Sequence, residues 1–147
     1  SDINGISNWN TSNVTSLKEL FLLTSIKDVN ALSKWDTSKV TDMKELFSHT
    51  KLSNIKGISK WNVSKVEVFE STFSNTLLND LNDLSDWNVS SGKNFQEMFS
   101  YSTKLKDATG INNWNLQNGE NFTKIFYKTE ERPSWAGTWD NLGTFVK

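Results

Sequence analysis

No cysteine occurs among the 147 residues, and there is one proline, one histidine and one arginine, Arg132. Without cysteine there is neither a disulfide framework nor thiolate chemistry for redox or zinc sites. With one histidine, His49 in the turn Ser48-His49-Thr50, no usual zinc set or Cys-His pair can be assembled. A solvated turn histidine is the reading that remains. Sixteen Lys+Arg against 17 Asp+Glu leave a formal net charge of -1, so no basic surplus exists to neutralise phosphates. Nucleic acid is excluded as an expected partner. The longest apolar run, Leu20-Phe21-Leu22-Leu23, falls far short of the roughly 20 residues that span a bilayer. No phosphate-cradling glycine loop and no His-Glu-x-x-His motif is present. No enzyme, no cofactor and no metal are expected.

Aromatic residues are plentiful instead: seven Trp and nine Phe. Five of the tryptophans, Trp9, Trp35, Trp61, Trp87 and Trp114, are separated by steps of 26, 26, 26 and 27. Phe21, Phe47, Phe73, Phe99 and Phe126 repeat those steps. Ile6, Leu32, Ile58, Leu84 and Ile111 stand three residues before each Trp; Leu17, Met43, Phe69, Phe95 and Phe122 stand eight after it. So many coincident positions define a repeat, and a unit this small can bury its apolar edge only against its neighbours. The step of 27 places one extra residue between Phe99 and Leu105, which predicts a longer loop over 101–104.

Within a unit, Val40, Met43, Leu46 and Phe47 follow the three-and-four spacing of a helical face. The spacing predicts a helix of about two turns, with Ser38 or Thr41 as its N-cap. Leu52, Ile55, Ile58 and Trp61 recur every third place, which reads as an extended segment with a short strand near Ile58–Trp61. Each unit is therefore expected to hold a short strand and a short helix, an α/β repeat. Gly92 and Gly119 stand where Val14, Val40 and Val66 do, which predicts a missing core side chain and a weaker helix in the last two units.

Residues 1–128 form the five-coil repeat and residues 129–147 a C-terminal cap. Trp135 and Trp139, separated by Gly137, follow no repeat position, and terminal repeats need a cover for their apolar face. Sugar faces stack on exposed aromatic rings, so Trp135, Trp139 and the turn residue Tyr101 are also the candidate ligand-binding residues, with Tyr127 likewise in or near a turn and capping the first reading for the two Trp. Asp80, Asp83 and Asp86 are spaced by three but lack the pattern of a Ca²⁺ loop. The Asn-x-Ser/Thr triplets beginning at Asn10, Asn62, Asn88 and Asn121 fall on repeat positions, where turn chemistry explains them.

The run Trp35-Asp36-Thr37-Ser38-Lys39-Val40-Thr41-Asp42-Met43, with Phe47 following, resembles the signature of BspA-like leucine-rich-repeat surface proteins. The similar branch carries a repeat of about 26 residues and is found on lactobacilli, listeriae and mycoplasmas. Trp9 to Leu17 and Trp61 to Val66 match nearly as well, and the resemblance covers about residues 1–127. It implies a leucine-rich-repeat-like right-handed solenoid, carried on wall-attached or lipid-anchored proteins and used for adhesion. The implied function is a non-catalytic adhesion module at the bacterial cell surface, with a host protein or glycan such as mucin or extracellular matrix as partner. A spacer without a ligand is the alternative. The implied state is a monomer that reaches the membrane or wall only through a signal peptide and anchor outside this sequence.

Overall fold

The computed structural model describes residues 2–137. Each coil passes through three stations, and each station is set by a recurring residue pattern. The first is a single 3-10 turn: Asn4–Ile6, Asn30–Leu32, Lys56–Ile58, Asn82–Leu84 and Thr109–Ile111. With three residues per turn, side chains at i and i+3 line up on one side. This accounts for the every-third spacing of Ile55, Ile58 and Trp61, whose amides close i→i−3 bonds: Ile58 N to Ile55 O at 3.0 Å and Trp61 N to Ile58 O at 3.1 Å. The strand expected near Ile58–Trp61 is thus replaced by a 3-10 turn and the turn after it.

The second station is a turn nucleated by the residue after each Trp. The Asp36 carboxylate accepts from both the amide and the hydroxyl of Ser38, at 3.0 and 2.6 Å. Asn10 and Asn62 do the same with Ser12 and Ser64. These bonds to the charged form hold the Asp36 carboxyl below its usual range, the Ser38 hydroxyl being the largest cause. Ser38 therefore closes an Asx turn and caps no helix.

The third station, from Leu17 to Thr24 in the first coil, is where the expected two-turn helix falls, and the described residues contain no α-helix there. Alternate amides divide their bonding. Leu20, Leu22 and Thr24 donate back three residues to Leu17, Glu19 and Phe21, while Leu17, Glu19, Phe21 and Leu23 donate across to Asp42, Lys44, Leu46 and Ser48 of the next coil. An α-helix spends every amide internally. Releasing every second one outward requires the backbone to reverse its curl, and it does so at two positions per coil. Glu19, Glu45, Ser71, Glu97 and Lys124, with Leu23, His49, Asn75, Tyr101 and Lys128, all have φ between 53° and 62°. The left-handed conformation costs a non-glycine residue roughly 1–2 kcal/mol, which the inter-coil bond and the packing offset.

Repetition of this exchange stacks the coils in 26-residue register. Single-residue parallel bridges link Ser16 to Asp42, Asp42 to Val68, Val68 to Asn94 and Asn94 to Asn121. The side chains align the same way. Phe21, Phe47, Phe73, Phe99 and Phe126 stack with centroids 5.3–5.8 Å apart. Each indole reaches back one coil: Trp35 Nε1 donates to Ile6 O, Trp61 to Leu32 O, Trp87 to Ile58 O and Trp114 to Leu84 O, all at 2.9–3.0 Å.

Gly92 and Gly119 leave no hole. The rings of Phe95 and Phe122 lie over them in the space a valine would take, and these rings continue a second column from Phe69 at 5.3 Å spacing. The turn itself persists, Gly92 donating to Val89 O and Gly119 to Leu116 O as Val40 does to Thr37 O. Volume has moved from the valine position to the position three residues on.

The extra residue in the fourth coil has a specific cost. Thr24, Thr50, Thr76 and Thr129 each donate a hydroxyl to the carbonyl of the Phe three residues earlier. Ser102 holds the same place, yet its buried Oγ has no partner among the described residues. The chain turns once more, Leu105 N donating to Ser102 O, and so restores Leu105 to the buried site of Ile26, Leu52 and Leu78. Leaving a buried hydroxyl unpaired costs about 1–3 kcal/mol. Ser102→Ala is therefore expected to raise the urea-unfolding free energy by about 1 kcal/mol, while Thr76→Ala lowers it by a similar amount. Equal losses from both substitutions would show that Ser102 is bonded in solution.

Candidate functional site

Tyr101 occupies one of the left-handed positions, which places its side chain on the surface at 47% exposure. One coil on, Tyr127 meets it edge to face, centroids 5.6 Å apart at 87°, and Tyr101 N donates to Tyr127 O at 2.8 Å. Lys124 and Lys128 stand at the two left-handed positions of the fifth coil, with Nζ 5.1 and 5.4 Å from the centre of the Tyr127 ring. Such cation–π contacts contribute about 0.5–1 kcal/mol at exposed sites and hold both ammonium groups beside the tyrosines. The local sequence explains the change of character. The same rows carry Glu19, Glu45 and Glu97 in earlier coils, and Leu23, His49 and Asn75. The patch combines two phenols with two ammonium groups, the chemistry that receives an anionic, partly apolar group. Reading Tyr101 and Tyr127 as aromatics in or near turns missed Lys124 and Lys128; counting 27 forward from Glu97 and from Tyr101 finds them.

The other candidates separate from this patch. Trp135 follows Trp114 by only 21 residues, outside the repeat spacing, yet its Nε1 donates to Ile111 O at 2.9 Å. That bond is the fifth rung of the indole series. Its ring lies 5.8 Å from Phe126, and Ser134 N donates to Asn112 Oδ1, so Ser134 and Trp135 lie against the fifth coil. Trp139 lies outside the described residues. His49 Nδ1 is 2.8 Å from Ser48 Oγ, and among the described residues no group of three His, Asp or Glu is arranged to hold a metal ion. Asp80 accepts from Asn82 N as a turn former, and Asp86 pairs with Lys60 at 3.0 Å. Exposed pairs of this kind contribute at most about 1 kcal/mol. No described helix is long and apolar enough to cross a membrane.

A family model described as "Mycoplasma protein of unknown function, DUF285" matches residues 2–26 and 23–139. The chain belongs to that family. The two matched segments of DUF285 overlap at residues 23–26, and together they take in all five coils. No curated protein and no solved structure matches the sequence.

Proposed function

We propose that this DUF285 chain is a non-catalytic binding module of a bacterial surface protein. It presents the outer row of its repeat stack to host glycans, mucus or matrix proteins. The observation that carries this reading is the Tyr101–Tyr127 pair flanked by Lys124 and Lys128, where the otherwise acidic or neutral row turns aromatic and basic. The stacked 26-residue coils and the resemblance of Trp35 to Met43 to the BspA-like signature favour a leucine-rich-repeat-like right-handed solenoid. They equally favour display outside the cell. A glycan array and a mucin and matrix-protein panel test the proposal. Retention on sialylated or sulfated ligands should fall at least about tenfold in Tyr101→Ala with Lys124→Ala, a loss of about 1.4 kcal/mol. If the parent chain is retained on no member of the panel, the module is a spacer and the proposal fails.

A further inference from the structure

Three lysines of the stack reach a carboxylate one coil away: Lys44 meets Glu70 at 3.2 Å, Lys60 meets Asp86 at 3.0 Å and Lys93 meets Glu67 at 3.0 Å. Lys124 has the same opportunity and does not take it. The residue one coil before it is Glu97, and the coils are joined there by Glu97 N donating to Thr123 O at 2.9 Å. The ammonium groups of Lys124 and Lys128 make no ion pair among the described residues and lie instead beside the Tyr127 ring. A ring face attracts a cation without cancelling its charge, so both groups keep that charge for a ligand.

The surroundings set how much negative charge the patch can receive. Along the stack from Lys124 stand Glu97, Ser71, Glu45 and Glu19. On the fifth coil itself, exposed Glu120 precedes the patch, and exposed Glu130 and Glu131 follow it. Coils lie 5.3–5.8 Å apart by their Phe column, inside the roughly 8 Å screening length of physiological salt, so Glu97 repels a second anionic group placed one coil on from Lys124. The neighbouring row is different. From Lys128 it runs to Tyr101, Asn75 and His49, all exposed and none acidic. Each of these three is fixed to the coil after it, Tyr101 N donating to Tyr127 O, Asn75 N to Ser100 O and His49 N to Ser74 O. One lane leading from the patch is barred to anions, and the other is open to uncharged groups.

We infer that the patch takes a glycan whose only anionic group is on its terminal sugar, and that Glu97 turns away chains that are acidic along their length; this rests on the binding-module reading above. The anionic group meets Lys124 and Lys128, and the apolar face of the terminal sugar packs on the phenol of Tyr127. The neutral sugars behind it continue over Tyr101 toward Asn75. A site discriminates by what it repels as well as by what it attracts. Glu97 supplies the repulsion, at the one junction where its row changes from carboxylate to ammonium.

The test uses the intact chain and three immobilised probes: sialyllactose, with one carboxylate on its terminal sugar; lactose, with none; and heparin, sulfated along its length. Sialyllactose is expected to hold the parent chain at least about tenfold more strongly than either of the others. Glu97→Gln, which keeps the backbone bond to Thr123, should raise retention on heparin at least about tenfold and alter retention on sialyllactose by less than about threefold. Asn75→Glu puts a carboxylate in the open lane, in the left-handed conformation that Glu45 already adopts, and should weaken retention on sialyllactose at least about fivefold. Heparin that holds the parent as strongly as sialyllactose does, or that gains nothing from Glu97→Gln, overturns the inference and leaves the module reading standing. So does retention on mucin or a matrix protein with neither sialyllactose nor heparin bound. Retention on no probe and on no member of that panel removes the module reading and the inference together.

Discussion

Trp61→Ala is expected to lower the unfolding free energy by about 3–5 kcal/mol in denaturant titration, whereas Trp9→Ala lowers it by about 1 kcal/mol or less. The two residues hold the same repeat position, so the difference isolates context. Trp61 is 5% exposed, stacks on Trp35 at 6.4 Å and 5°, and rests against Phe47 at 6.4 Å. Its loss opens a cavity shared by neighbouring coils. It also removes the indole N–H bond, 3.0 Å, to the carbonyl of Leu32, which keeps only the Trp35 amide. Trp9 stacks on Trp35 by one face only and has no acceptor for its N–H among the described residues. Trp61→Phe should fall between, retaining the ring and losing the bond. Equal costs at positions 9 and 61 would mean that stacking between coils contributes little and that each coil is stable alone.

Gly57→Ala is expected to be nearly as damaging, at about 3 kcal/mol, while Gly5→Ala is neutral. A Cβ at position 57 would lie 2.8 Å from both Asn30 Cα and Val29 C, and closer still to Val29 O. Those atoms are backbone, so no rotamer relieves the clash and the coils must separate. At position 5 nothing stands within 4 Å. Gly110 repeats the close approach, against Asn82. The bridges show what this closeness permits: Asp28 pairs with Asn54 and Asp80 with Asp107, but no bridge links Asn54 to Asp80 among the described residues. Asp2 and Asp28 are not bridged among the described residues either, and the incoming coils at these two junctions carry Ala31 and Asp83 in place of glycine. An unchanged unfolding midpoint in Gly57→Ala would show that the coils breathe enough at this corner to admit a methyl group.

The contrast between these positions also shows what was readable from residues alone. Because the stacking register equals the repeat period, counting 26 forward from any residue of the first three coils names its neighbour in space. The Phe and Trp columns follow directly. The local conformation did not follow, because Val40, Met43, Leu46 and Phe47 bury one side whether the backbone is an α-helix or a run of turns. A counter-signal stood beside them: three Asx or similar turns per coil, such as Asp28–Asn30, Asp36–Ser38 and Asp42–Lys44, are too many for a unit that devotes two turns to helix. The left-handed positions were invisible, since among the ten residues there only His49 and Asn75 are of types that favour that conformation. At the candidate site, Tyr101 and Tyr127 were legible as turn aromatics, but Lys124 and Lys128 beside them were not. Trp135 was set apart from the repeat because its spacing in sequence is short, although in space it keeps the rhythm.

The division of amides between the coil and its neighbour has a mechanical consequence. The bonds from Leu17, Glu19, Phe21 and Leu23 to the next coil run along the stacking direction, so tension between the two ends pulls on them lengthwise. The covalent chain crosses each junction at a single corner, and load enters there. The four bonds then yield in succession, as a seam does. Each seam that opens pays out one coil of slack while the remaining junctions stay shut, which lets the stack lengthen under a sustained pull without coming apart at once.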